Sequence, residues 1–175
     1  KTLFLTMKRV FYLALVMGLA FLCGSCCKDD PQPETPADDS GSQTERVELE
    51  PQARPTDWVV VSEGIDPQST MTADVAINLS HLGHTYESDP QDLMAAFVDG
   101  SCRAVAAPWT DEAQARAVFA LTIKRLVDED SQKPVVLKFY SERLHHIFTS
   151  ATTFAYEGEG RMGTLQQPYE PVWNK

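Results

Sequence analysis

Hydrophobic and polar residues alternate over several short stretches in the second half of the chain. In the clearest stretch, 71–80, apolar residues such as Val75 and Leu79 share one side and polar residues share the other. Similar alternation occurs at 117–126 and 135–140. A period of two over such lengths predicts β-strands with one buried face.

The alternating stretches are separated by polar turns and together predict an all-β domain spanning residues 55–175. Many short strands joined by turns are typical of antiparallel β-sandwiches. We therefore expect an immunoglobulin-like or jelly-roll β-sandwich, and the short apolar run 58–61 is expected to add a strand to it. Pro168 and Pro171 restrict the last strand to a sheet edge, because proline cannot donate a ladder hydrogen bond.

Two apolar runs flank Asp99-Gly100, and this predicts a β-hairpin with a two-residue type I′ turn. The predicted register pairs Val98 with Ser101 and Phe97 with Cys102. We expect one wholly apolar face of this hairpin to point into the core, with Cys102 as a buried, inert thiol. The residues of that face are Leu93, Ala95, Phe97, Cys102, Ala104 and Ala106.

The N-terminal region has the composition of an export signal. Residues 1–6 precede Met7, which we interpret as the true start, and Lys8-Arg9 then precede the apolar run 10–22. Such a run is shorter than the roughly 20 residues that cross a bilayer as a helix. We predict a cleaved signal peptide at 1–25, with a retained membrane anchor as the alternative.

The end of this run resembles a bacterial lipoprotein signal. Cys23-Gly24-Ser25-Cys26 resembles a lipobox, with Cys23 in place of the usual leucine, and the resemblance implies a lipid on Cys26. Lys28, Asp29 and Asp30 follow, and they resemble the surface-export signal of Bacteroidetes lipoproteins. The resemblance implies a lipoprotein of the bacterial outer membrane, exposed at the cell surface, with the periplasm-facing orientation as the alternative.

The hairpin also resembles a known motif. Its sequence AAFVDGSCRAVA is similar to a stretch that recurs in modules of Bacteroidetes secreted and surface proteins. Ala96, Ser101 and Ala104 stand where those modules usually carry Gly, Glu and Gly. The modules resemble β-sandwiches, and the resemblance implies no catalytic residues.

Residues 26–54 are expected to form a disordered tether after the lipidated cysteine. The segment is rich in proline and acidic residues and contains no aromatic residue, so it buries too little apolar surface to fold. The whole chain has a formal net charge of -10. This acidic balance, without a basic stripe, argues against nucleic acid as a partner.

The sequence contains no recognisable catalytic, cofactor or metal motif. His81 and His84 have a spacing that suits a metal only on a helical turn, and the nearby Gly83 and Pro90 favour a loop. Glu63, Asp66 and the acids at 157 and 159 lack the spacing of a calcium loop. We therefore expect no enzyme activity, no cofactor and no metal.

Exposed aromatic rings are the best candidates for ligand contacts. Trp109 follows a proline at a strand end, and Tyr140 lies opposite the predicted core face of its strand. The resulting hypothesis is a non-catalytic, lipid-anchored surface module that is monomeric and binds a glycan or a surface protein. The alternatives are a structural subunit of an outer-membrane envelope complex and a small hydrolase.

Overall fold

The computed structural model describes residues 44–111, 116–127 and 132–175, and these residues form an all-β sandwich with a single 3-10 turn at Ser80–Leu82. The strands in chain order are β1 Ile65–Val75, β2 Leu93–Val98, β3 Ser101–Ala106, β4 Trp109–Asp111, β5 Arg116–Leu126, β6 Pro134–Ser141, β7 His146–Ser150, β8 Phe154–Ala155, β9 Arg161–Met162 and β10 Trp173–Asn174. The predicted fold class is confirmed.

The strands build two sheets that enclose one core. The four-stranded sheet has the order β4-β5-β1-β9, and the other has the order β10-β7-β6-β2-β3 with β8 added to β6. All pairings of these strands are antiparallel except that of β1 with β9. The short β10 lies at a sheet edge, where its neighbouring prolines do not interrupt the ladder.

The core contains the apolar faces that alternation predicted on β1, β5 and β6. The buried cluster includes Met71, Ala73, Val75, Phe119, Leu121, Ile123, Val135, Leu137 and Phe139. Phe139 lies at its centre, because its ring contacts those of Phe119, Phe148 and Trp173 at centroid distances of 5.6, 5.9 and 5.9 Å.

The hairpin of β2 and β3 has the predicted turn. Asp99 and Gly100 have φ values of 49° and 74°, as a type I′ turn requires. Val98 pairs with Ser101 and Phe97 with Cys102. The register then shifts, so that Ala96 lies opposite Ala104 and Arg103 is the extra residue of a β-bulge.

The predicted core face of this hairpin is wrong for β2 and for Cys102. Met94, Ala96 and Val98 point into the core, and the bulge brings Ala104 onto the same side. Leu93, Ala95, Phe97 and Cys102 instead lie on the opposite side, which we call the outer face of the six-stranded sheet. Alternation did not distinguish the two sides, because both sides of β2 are apolar.

The outer face is covered by residues 47–61, which we call the strap. In its first half, Gln52 contacts β7 because its side-chain oxygen accepts from the Ile147 N–H at 2.9 Å. The Gln52 backbone N–H also donates to the carbonyl of His145, the residue before β7, at 2.5 Å. At its end, the N–H of Val61 donates to the carbonyl of Cys102 on β3 at 3.1 Å. The strap thus runs from one side of the sheet to the other and joins β1.

The strap changes two details of the predicted organisation. Residues 47–54 contact the sandwich, so the folded unit begins before the boundary predicted at residue 55. The run 58–61 is extended but does not form a strand.

Several predictions fall outside the described residues. They are the start at Met7, the signal peptide 1–25, the lipidated Cys26, the export signal of Lys28, Asp29 and Asp30, and the tether as far as residue 43. Within the part of the chain that the structure describes, no helix is long and apolar enough to cross a membrane.

Candidate functional site

Trp109 is the most exposed of the sandwich's aromatic residues that the sequence suggested as ligand contacts. It begins β4, an edge strand, and pairs with Val118 of β5. Val118 is buried, whereas the indole is 50% exposed. Because Phe119 points into the core, Val118 and its partner Trp109 lie on the side of the four-stranded sheet that faces away from the core. The indole therefore presents a flat apolar surface on a paired strand.

A groove of about 320 Å³ lies beside β4. Its lining combines hydroxyl, carboxylate and guanidinium groups, a mixture that suits ligand hydroxyl groups. The lining residues are Ile77, Tyr86, Glu87, Ser88, Thr110, Arg116 and Ala117. Thr110 follows Trp109 directly, so the groove and the indole lie on the two sides of the same edge strand.

Two ion pairs fix the charged side chains at this groove. Arg116 is paired with Glu170, and Glu87 is paired with Arg143. The phenol of Tyr86 donates to the buried carboxylate of Asp92 at 2.9 Å. Burial raises the pKa of Tyr86, and the charge of Asp92 raises it further, so the phenol stays protonated as a donor.

Tyr140 is not available as a stacking surface in this structure. Its side chain is only 2% exposed, although it points to the outer face as predicted. Burial raises the pKa of Tyr140, and nearby Glu142 adds to the effect. Trp109 and Tyr140 lie on different sheets and on the two outward sides of the sandwich, so the structure does not bring them together.

Cys102 is buried, at 5% exposure, and its Sγ lies 3.6 Å from the carbonyl oxygen of Ala104. Burial raises the pKa of the Cys102 thiol, which suppresses the nucleophilic thiolate. This is the environment expected for an inert thiol, although it lies on the outer face instead of in the core.

The buried histidines act as structural donors. His84 Nε2 lies 2.7 Å from the carbonyl of Val47, and His146 Nδ1 lies 2.8 Å from the carbonyl of Glu50. A carbonyl only accepts, so each ring donates a hydrogen bond to the strap. Among residues 44–111, 116–127 and 132–175, no group of three or more His, Cys, Asp or Glu side chains is placed to hold a metal ion.

A wider groove of about 680 Å³ lies between residues 48–52, His146 and Lys175. The remaining ring nitrogen of His146, Nε2, is fully buried and has no hydrogen-bond partner among the described residues. A ligand in the groove therefore meets the strap backbone and the exposed charges of Glu48, Glu50 and Lys175, and not this nitrogen.

Neither groove could be predicted from the sequence. Each is built from stretches that are far apart in the chain, for example 86–88 and 110–117 around the smaller one. The exposure of Trp109 was suggested by its place at a strand end after Pro108. The burial of Tyr140 is not predicted, because residues 47–54 of the strap are predicted to belong to the linker and 58–61 to form a strand.

Comparisons with protein-family models, with curated proteins and with solved structures find no match to this chain. The resemblance of the signal and the hairpin to Bacteroidetes lipoproteins therefore stays a prediction.

Proposed function

We propose that this protein is a non-catalytic binding module of the bacterial cell surface, which uses the Trp109 side of the sandwich to bind a glycan. The observation that carries the proposal is the half-exposed indole of Trp109 on the outward side of a paired edge strand. An indole that is half covered by the protein loses less side-chain freedom on stacking against an apolar ligand face than a fully exposed one.

The groove beside β4 supports the same ligand class. Thr110 and Ser88 provide hydroxyl groups. Arg116 provides a donor that is oriented by its ion pair with Glu170, and Glu87 provides an acceptor that is oriented by its ion pair with Arg143. Sugars combine apolar ring faces with many hydroxyl groups, so an oligosaccharide that crosses the edge strand β4 can contact the indole on one side and the groove on the other. A protein ligand is the second possibility for the same surface.

The binding test uses residues 41–175, which form one compact unit. We expect a glycan array to give a signal that Trp109→Ala abolishes and Trp109→Phe partly restores. Val172→Ala is the matched control, because Val172 is also exposed but lies near β10 on the other sheet. A glycan signal that survives Trp109→Ala removes Trp109 from the site.

A negative array has a defined meaning. If the array is silent and a pull-down from solubilised envelope recovers a stoichiometric partner, the protein is a structural subunit or binds protein instead. Turnover of chromogenic glycosides or esters by the folded domain would contradict the non-catalytic proposal, if that turnover disappears when the domain is unfolded.

The anchoring half of the proposal places a lipid on Cys26 and the domain outside the cell. Mass spectrometry of the mature protein is expected to give an N-terminus at Cys26 with acyl mass. Replacing Lys28, Asp29 and Asp30 with alanine is then expected to abolish protease accessibility on intact cells. Accessibility that does not change would mean that these residues are not an export signal, and wild-type protein inaccessible from outside would place the domain in the periplasm.

A further inference from the structure

The strap makes two kinds of contact with the sandwich. Residues 47–52 are held mainly by hydrogen bonds to backbone groups and ring nitrogens. The Val47 N–H donates to the Leu82 carbonyl at 3.0 Å, and Gln52 accepts from the Ile147 N–H at 2.9 Å. Further along, the ring of Trp58 packs edge-to-face on Phe97, with centroids 6.0 Å apart.

The residues beneath the strap are less exposed to solvent than the residues of the strap. Ala95, Cys102 and Tyr140 beneath it are 0%, 5% and 2% exposed, whereas none of residues 47–61 is buried to that degree. A segment with few buried apolar contacts of its own belongs to the least stable part of a structure. The strap can therefore detach at a free energy below that of global unfolding.

The connection to the body allows such a movement. After Val61, the strap reaches β1 through the exposed residues Ser62, Glu63 and Gly64, and Gly64 has φ +67°. Backbone rotation at these residues moves the strap without breaking the pairing of β1 with β5. Of residues 47–61, only Leu49 packs against the core cluster, and it is partly buried at the margin of that cluster. The buried residues of the core all belong to the strands and loops of the two sheets, so the sheets keep them when the strap leaves.

We propose that the strap opens as one unit while both sheets stay folded, and that opening exposes the apolar outer face around Phe97, Cys102 and Tyr140. The functional consequence rests on the anchoring proposed above. Detaching fifteen residues (47–61) adds about 50 Å to the reach of the tether at roughly 3.3 Å per residue. Tension between anchor and ligand would favour this state, because it is the longer of the two.

The test does not need the anchor, so its failure is distinct from a failure of the proposed function. Cys102 is the sole cysteine of residues 41–175 and reports on the outer face. We expect maleimide labelling of native Cys102 to be slow, but much faster than global unfolding, with a weak dependence on urea. Such a dependence shows that little surface is exposed in the reactive state.

A matched pair of variants identifies the strap as the moving part. Trp58→Ala is expected to speed labelling roughly tenfold, the equivalent of losing a contact of about 1.4 kcal/mol. Trp109→Ala, which removes an exposed indole from the other sheet, is expected to leave the labelling rate unchanged. Equal effects of the two variants would overturn the proposal.

Hydrogen exchange provides a second readout that does not depend on a variant. The amides of Val47, Gln52 and Val61 all donate across the strap's contacts, and we expect them to share one opening free energy below that of β5. If they share the free energy and urea slope of β5, the strap opens only on global unfolding. If their values differ from one another, the strap frays residue by residue. Either result overturns the proposal.

Discussion

The ammonium group of Lys138 lies 4.8 Å from the centroid of the Phe97 ring, on the outer face of the six-stranded sheet. The ring of Trp58 packs against the same phenylalanine at 79° between the ring planes. Phe97 thus joins a cation from β6 and an aromatic ring from the strap. Phe97 therefore connects the six-stranded sheet to the strap.

A double-mutant cycle measures the first of these contacts. We expect Lys138→Met and Phe97→Leu to show a coupling of about 0.5–1 kcal/mol in the free energy of unfolding, the range of partly exposed cation–π pairs. Urea denaturation of the four proteins gives the value. Lys124→Met with Phe97→Leu is the control and should be additive, because Lys124 lies on β5 in the other sheet. Equal coupling in both cycles would disprove a specific contact.

Asp92 is expected to be among the most sensitive polar residues of the domain. It is fully buried, and its carboxylate accepts from the Tyr86 hydroxyl, the Asp89 N–H and the Glu142 N–H at 2.9, 2.9 and 2.8 Å. Asp92→Ala leaves these donors without their acceptor, so the free energy of unfolding should fall by about 3 kcal/mol or more in urea denaturation.

Asp89→Ala provides the comparison for Asp92. Its carboxylate accepts an exposed local hydrogen bond from the Gln91 N–H, and its loss should cost below about 1 kcal/mol. Similar losses for the two variants would show that burial and the number of donors do not determine the effect of Asp92.

The strands with one apolar face could be predicted from the sequence, whereas β2 could not be oriented. On β1, β5 and β6 the regularly apolar side of the alternation identified the side that faces the core. On β2, Met94 and Phe97 lie on different sides and both are shielded from solvent, one by the core and one by the strap. A strand covered on both faces reads as a continuous apolar run and carries no such signal. The β-bulge at Arg103 could not be predicted either, because no glycine or proline in the sequence indicates it.

Of the two candidate ligand contacts, the sequence predicted the exposure of Trp109 but not the burial of Tyr140. Trp109 is exposed because it lies on an edge strand, and Pro108 indicated a strand end. Tyr140 has the alternation of an outward residue, but the strap, which is hydrogen-bonded to His145 on one side and to Cys102 on the other, covers its side of the sheet. Residues 47–54 of the strap have the composition of a linker, and their docking depends on distant donors such as His84 and His146. Such long-range pairings leave no local pattern in the sequence.

Two glycines with similar backbone angles are expected to differ strongly in their tolerance of a side chain. Gly163 has φ +72°, and a Cβ there would lie 2.5 Å from the Tyr169 nitrogen and 2.6 Å from the Asp74 carbonyl oxygen. Gly100 has φ +74° with no atom within 4 Å of its Cβ position. Gly100→Ala should therefore cost only the left-handed strain, about 1–2 kcal/mol.

Gly163→Ala should cost at least about 2 kcal/mol more than Gly100→Ala in urea denaturation. The added Cβ must separate the Tyr169 N–H from the Asp74 carbonyl, which are hydrogen-bonded at 2.8 Å. The comparison isolates this steric term because the backbone strain is nearly the same. Equal losses would mean that the chain near Tyr169 shifts freely.

The stability of the domain is expected to fall at alkaline pH. Burial raises the pKa of Cys102, Tyr86 and Tyr140, so their protonated forms are favoured in the folded state. In the unfolded chain a thiol loses its proton near pH 8.5 and a phenol near pH 10, at roughly their ordinary pKa values. Above these values the unfolded state binds fewer protons than the folded state, so the free energy of unfolding decreases as pH rises.

The contribution of these groups is therefore fully present below about pH 8 and is lost as pH rises through their folded pKa values. We expect the urea midpoint, measured from pH 7 to 11, to decline first because Cys102 loses its proton in the unfolded chain. The decline should become steeper when the phenols of Tyr86 and Tyr140 lose theirs. Tyr140→Phe removes one titrating group and should flatten the decline above about pH 10, while Cys102→Ala should flatten it from about pH 8.5. A midpoint that stays constant across this range, or a decline that neither variant changes, would show that these groups do not control the alkaline stability.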